Sequence, residues 1–249
     1  MFDLQVAVVS DIHGNRWACE AVLEDIERRD IQHIANLGDV LYGPLDPAGT
    51  ARTLIKLDIP TVRGNEDRII VASPEIDDSP TLRYVRESLN AEHLQWLETL
   101  EMTAVVHQDF FLCHGTPERD DEYLLHKVSA TGVSLRTSDE LTSKLSSLAQ
   151  PVLLCGHDHV LHTVYLPDGK LIVNPGSVGL PAYTDDAPFS HAMETGSPHA
   201  RYSIVSRSGA GWRIENVAVP YDWHAAANVA LENGRPDWAE WIRTGRAHV

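Results

Sequence analysis

Five apolar runs in this chain end in the same way, and that repetition constrains the fold more than any other feature. "VAVVSDIHGN" runs into Asp11 and His13, "HIANLGDVLYG" into Gly38-Asp39, and "IPTVRGNEDR" into Gly64-Asn65. "FFLCHGT" delivers His114-Gly115, and "LLCGHDHVLH" delivers His157 and His159. Short apolar runs closed in this way read as buried strands entering loops. Residues spaced i and i+2 in extended chain project to one side, which pairs Asp11 with His13 and His157 with His159. In an open α/β sheet the carboxyl ends of the strands open onto one crevice, where such residues converge. Glycines beside them let the backbone turn sharply and approach closely.

Helical patterns lie between the runs. Ala18, Ala21, Val22 and Ile26 share helical spacing over 15–28, with Asn15 as the cap. Asp46-Pro47 and Ser79-Pro80 each place an N-cap oxygen before a proline at the first helical position. Thr137 and Glu140 form a capping box for a helix over 138–149. Strands are expected at 4–9, 33–37, 59–62, 103–106 and 110–113, then at 152–155, 161–166, 170–173, 201–206 and 211–219. Short helices near 222–233 and 236–243 close the chain. This grammar, α/β turning to mainly β, predicts one domain over 1–249. Residues 116–137 and 181–200 read as irregular walls or a lid of a pocket.

Composition excludes several classes. With 249 residues and 43% hydrophobic content, the chain can bury a sizeable core. A formal charge of −16 argues against a general grip on nucleic acid, so a phosphate-bearing substrate needs a local source of positive charge. No apolar run reaches the length of a membrane span and the N-terminus lacks a basic leader, so the expectation is a cytoplasmic protein without a membrane partner. Cys19, Cys113 and Cys155 form no C-x-x-C pair, which argues against a disulfide framework and a thiolate zinc site.

Buried carboxylates and imidazoles crowded together are costly unless something neutralises them, and divalent cations do so. Seven ligand residues are too many for one metal with open positions and suit two metals sharing a bridge. Carboxylate, amide and imidazole without thiolate favour Mn, Fe, Zn or Ni over calcium.

These residues, in this order, resemble the five motifs of the calcineurin-like metallophosphoesterases. "YGPLDP" at 42–47 and "NPGSVGLP" at 174–181 are similar to segments of their small bacterial phosphodiesterase-like branch. The resemblance implies a two-sheet β-sandwich flanked by helices. It implies that Asp11, His13 and His159 hold a first metal, that Asn65, His114 and His157 hold a second, and that Asp39 bridges them. It also implies a hydroxide between two metals that attacks phosphorus in line, in a phosphodiesterase or broad phosphatase acting on a small phosphoester. Two other readings are a protein serine/threonine phosphatase and a non-catalytic scaffold on the same fold, like the retromer subunit that resembles this family. Filled positions for all seven ligands weigh against the scaffold.

One position departs from the pattern. Where much of the family has a histidine after the motif asparagine, this chain has Glu66. It is expected to turn away or to cap the following helix, where an acid suits the helix dipole. A catalytic role beside Asp39 and Asn65 requires a raised pKa. Arg63 and Arg68 are expected at the surface, and Asp158 in the loop or orienting a ligating imidazole. His162, His191 and His199 read as surface residues. Trp212, Trp223, Trp238 and Trp241 read as core.

Overall fold

The computed structural model describes residues 4–72, 79–209 and 211–248. The chain begins β1 (Leu4–Val9), α1 (Arg16–Arg28), β2 (His33–Asn36), α2 (Pro47–Leu57), α3 (Asn65–Val71), α4 (Pro80–Ser88) and α5 (Ala91–Glu98). It continues β3 (Thr103–Val106), β4 (Phe110–Cys113), β5 (His126–Ser129), β6 (Gly132–Leu135), α6 (Ser138–Lys144), β7 (Val152–Leu154), β8 (His162–Tyr165) and β9 (Leu171–Asn174). The last elements are β10 (Ala182–Asp185), β11 (His191–Glu194), β12 (Ala200–Ser208), β13 (Gly211–Val219), α7 (Trp223–Glu232) and α8 (Pro236–Thr244).

Two sheets form the sandwich. One has the order β13-β12-β1-β2 and the other β3-β4-β7-β9-β8. The β1–β2, β4–β7 and β7–β9 pairs are parallel, so their carboxyl ends point the same way within each sheet. Val6 and Val8 pack between the sheets with Phe110, Leu112, Leu154 and Val173. The alternate residues Ala7 and Val9 pack on Ala18, Cys19, Val22 and Ile26 of α1. On the other sheet, Leu153 and Ile172 face Leu141 of α6. Both faces of the central strands are therefore covered, which explains why they read as continuous apolar runs. Phe110 is fully buried between the sheets, and truncating such a ring costs about 3–5 kcal/mol.

The caps fall where the sequence places them. Asn15, Asp46 and Ser79 accept backbone N–H groups of Ala18, Gly49 and Leu82, and Thr137 pairs reciprocally with Glu140. Three expectations fail. Residues 59–62 form no strand but one parallel bridge between Asn36 and Thr61, since Pro60 has no N–H for a ladder. The helix expected over 138–149 stops at Lys144, shortly before the Gln150-Pro151 step that disfavours helical backbone. The segments read as irregular contain paired strands, β5 with β6 and β10 with β11. Among the described residues, no helix is long and apolar enough to cross a membrane.

Candidate metal centre

Each of the seven singled-out residues leaves a strand end or helix start on one side of the sandwich. Ligand atoms of Asp11, His13 and His159 lie within 4.8 Å of one another, and so do those of Asp39, His114 and His157. His159 Nε2 is 3.3 Å from Asp11 Oδ1 and 3.1 Å from His13 Nε2. His114 Nε2 is 3.1 Å from Asp39 Oδ2 and 3.9 Å from Asp11 Oδ1. Asp39 also groups with His13 and Glu66, which sets its carboxylate between the two clusters. Asn65 opens α3 and lines the same cavity.

The backbone is bent to achieve this. Asp11, His13, Asp39, His157 and His159 all have φ between 51° and 73°. Left-handed backbone costs an L-residue roughly 1–2 kcal/mol, so the surrounding structure must hold these five in place. Close packing of the loops does so. A Cβ at Gly64 would strike Asp39 Oδ1, and one at Gly156 would strike Ser10 Oγ. Backbone carbonyls fix the rings through Nδ1: Tyr42 O for His13, Leu37 O for His114 and Leu180 O for His159, at 2.9, 2.7 and 2.7 Å. Each Nε2 is thereby turned toward the cluster.

The charges are set against one another. Burial pushes Asp11 up but is outweighed by His159, His114 and His13, which hold its carboxyl well below the usual range. Burial opposes protonation of His114 and His13, yet Asp39 raises His114 to about 10 and Glu66, with Asp39 and Asp11, raises His13 to about 9. Burial and the facing His114 push His157 down to about 4. Despite these short approaches, Asp11 Oδ1, Asn65 Oδ1 and His114 Nε2 are buried without a hydrogen-bond partner. Buried ligand atoms that converge while these three stay unpaired fit a coordinated cation, and the oxygen and imidazole set suits a divalent transition metal.

Glu66 does not turn away. Its Oε2 lies 3.1 Å from His13 Nδ1 without hydrogen-bond geometry, because that nitrogen faces Tyr42 O, and the oxygen is buried with no donor. Burial, aided by Asp39 and Asp67 and opposed by His13, raises Glu66 to about 7. Helix capping falls to its neighbour Asp67, whose carboxylate accepts Gly64 N–H at 3.0 Å.

Other expectations divide. Of the two roles expected for Asp158 it takes the first: it accepts from His126 Nδ1, Val160 N–H and Asn174 Nδ2, and so ties the loop together. His191 is not a surface residue but is 4% exposed, with its ring nitrogens against Phe189 O and Tyr123 Oη. His162 and His199 are half-buried. Arg68 keeps its expected surface place, 42% exposed, and is spent on Asp120 through two bonds of 2.8 Å.

A cavity of ≈ 310 Å³ opens over the cluster. Besides the predicted residues, its walls include Tyr42, Tyr123, Tyr183, Arg235, Trp238 and Trp241. Tyr123 and Tyr183 lie in the segments 116–137 and 181–200 expected to wall the pocket; Tyr42, Arg235, Trp238 and Trp241 were missed as site residues, the tryptophans because aromatic residues in patterned elements signal core, and Trp238 is indeed buried.

Residues 4–195 match the calcineurin-like phosphoesterase superfamily domain, and the chain belongs to that family. An uncharacterised protein of Methanocaldococcus jannaschii is 25% identical over 262 residues, covering 96% of each chain. The crystal structure of a metallophosphoesterase from Sphaerobacter thermophilus matches with a TM-score of 0.75 at 24% identity, over 98% of this chain and 99% of that one. A hypothetical protein from Pyrococcus horikoshii OT3 matches at 0.74 and 19% identity, over 98% and 100%. The α/β sandwich expected from sequence is the fold these structures share.

Proposed function

We propose that this chain is a dinuclear metal-dependent phosphoester hydrolase with a small substrate, and that it comprises a single domain over 1–249. The observation that carries this reading is the pair of buried ligand clusters with Asp39 between them, at strand ends that a phosphoesterase family shares. Asp11, His13 and His159 would hold one cation, Asn65, His114 and His157 the other, and Asp39 would bridge. Bound there, two divalent ions supply electrophilic stabilisation of phosphoryl oxygens and lower the pKa of an attacking water.

The chain's own groups do the rest. Carbonyl-fixed imidazoles and left-handed loops hold the ligands in place before substrate arrives, so little reorganisation remains. Glu66 lines the cavity with its Oε2 buried and unpaired, and in this reading its carboxyl holds the proton that the departing alkoxide takes up. Tyr123 and Tyr183, joined Oη to Oη at 2.5 Å, come from the segments 116–137 and 181–200 and wall the cavity beside His157 and His159. A cavity at the small end of the ligand-site range favours a small ester over a protein loop, and so favours this reading over a protein phosphatase.

The test is hydrolysis of para-nitrophenyl phosphate and its bis-ester by protein loaded with Mn, beside metal analysis. Turnover that is lost on chelation and restored by metal, with two equivalents bound, is expected. Two bound metals with no turnover of either ester would leave the scaffold reading in its place.

A further inference from the structure

The family domain ends at residue 195, yet Arg235, Trp238 and Trp241 line the cavity from beyond it. They belong to α8 and its leading edge, and the two tryptophans pack in one cluster with Leu180, Tyr42 and Tyr183. Trp238 is held in place: His13 meets it edge-on at 5.8 Å, the Arg235 guanidinium lies 5.5 Å from its ring, and Trp241 is 6.2 Å away. Across the ligands, Tyr183 lies 4.5 Å from His159. An aromatic cleft therefore begins at the metal ligands themselves.

Charge narrows what can enter. Among the described lining residues Arg235 is the one permanent cation, and it is occupied by Asp237 and Thr81. Asp185 adds negative charge. The adjoining cavity, which shares Asn65, Tyr123, His157 and Asp185 with this one, has Arg119, Lys127 and Arg136 in its walls, and each is paired with an acid: Asp121, Glu140 and Glu122. The ≈ 310 Å³ over the ligand clusters suits one phosphoryl group and one ring system.

We propose that α8 is a specificity element, and that this chain selects phosphoesters carrying a single aromatic ring, nucleobase or aryl, which stacks in the cleft at Trp241 and Tyr183, with the buried Trp238 as its floor. The inference rests on the phosphoester-hydrolase reading above. A flat ring gains from aromatic faces regardless of its substituents, whereas an alkyl group of similar charge does not.

Three non-hydrolysable ligands test it on Mn-loaded protein by calorimetry: methylphosphonate, phenylphosphonate and a thymidine phosphonate. At least one ring-bearing ligand should bind about 10-fold or more tightly than methylphosphonate. The thymidine and phenyl arms separate nucleobase from aryl. In Trp241→Ala the preference should collapse toward unity; Trp241→Leu, which keeps apolar bulk without an aromatic face, decides if alanine fails to fold. Equal binding of all three by the unaltered protein, or a preference undiminished in a folded Trp241 variant, overturns the inference. Equal binding with nitrophenyl ester hydrolysis intact leaves the hydrolase reading standing. Ring-selective binding without hydrolysis supports the cleft and removes the hydrolase reading instead.

Discussion

The carboxylate of Asp67 accepts the backbone N–H of Asp39 at 2.8 Å, and its other oxygen accepts that of Val40 at 2.9 Å. With Gly64 N–H also bonded to it, one fully buried acid pins the loop after β2 to the start of α3. Asp39 returns the connection, because its Oδ1 accepts Glu66 N–H at 2.9 Å. The position proposed for the bridge is thus fixed from both sides by the protein alone.

Asp67→Ala strands three buried donors, each costing about 1–3 kcal/mol if water cannot reach it. A loss on the order of 3 kcal/mol is expected, lowering the melting midpoint by roughly 6–12 °C. Asp67→Asn keeps one acceptor oxygen and should lose less. Calorimetric scans of both variants check this; an alanine variant that melts like the parent would show that the clamp is dispensable.

Asp39→Asn tests the bridge directly. The amide keeps an oxygen for Glu66 N–H but removes the anionic charge that lies between the two clusters. Metal content should fall below two per chain, and hydrolysis by at least about 10²-fold, while the circular dichroism spectrum stays native. The parent protein should also melt higher with added Mn or Zn, since ligand at 100 times its Kd adds about 2.7 kcal/mol. A variant that keeps both metals and full activity would sink the bridging assignment.

The strand ends were legible in the sequence because each couples a local pattern, an apolar run, to a chemical residue type. Caps such as Asp46 and Thr137 were legible for the same reason, since their partners lie three residues away. What sequence hid depends on distance along the chain. Asp67 reads as one more surface acid until β2 is folded against it, 27 and 28 residues away. Trp238 reads as core and is core, but its neighbour across space is His13. The β10–β11 hairpin was obscured by its Pro-, Ser- and Asp-rich turn, although His191–Glu194 alternates buried and open positions. The left-handed φ of five ligands carries no composition signal at Asp or His, unlike a glycine.

Cys19 offers a check on the core that is independent of the site. It is packed under α1 against β1, and burial, with a smaller contribution from Glu20, pushes its thiol up to about 12. Because the folded form holds its proton more tightly than the ordinary value of 9.0, the sign is fixed. Folding gains nothing from this group at low pH, and loses stability as pH rises above 9. In native protein at pH 8, Cys19 should resist a thiol reagent that labels it fully in denaturant. Mass spectrometry of the labelled peptide reads this, and rapid native labelling would mean that the α1 face opens.

Glu66 is the point at which the sequence departs from the motif it resembles. An acid that capped the helix or merely repelled phosphate would leave rates unchanged or raised when neutralised. The role proposed above is the other one: Oε2 is buried without a donor beside His13, and the Glu66 side chain lines the cavity. Glu66→Gln preserves the shape and removes the transferable proton. Hydrolysis of alkyl phosphoesters, whose alkoxide must be protonated as it leaves, should fall by about 10²–10⁴-fold. Nitrophenyl esters, whose leaving group departs as a stable anion, should lose far less. Metal content should not change, because Glu66 is not among the seven proposed ligands. The ratio of the two rates in parent and variant, measured at fixed Mn, isolates the proton from any general damage. If the alkyl ester turns over as fast in the variant as in the parent, Glu66 is not the proton donor and the departing alkoxide takes its proton from water.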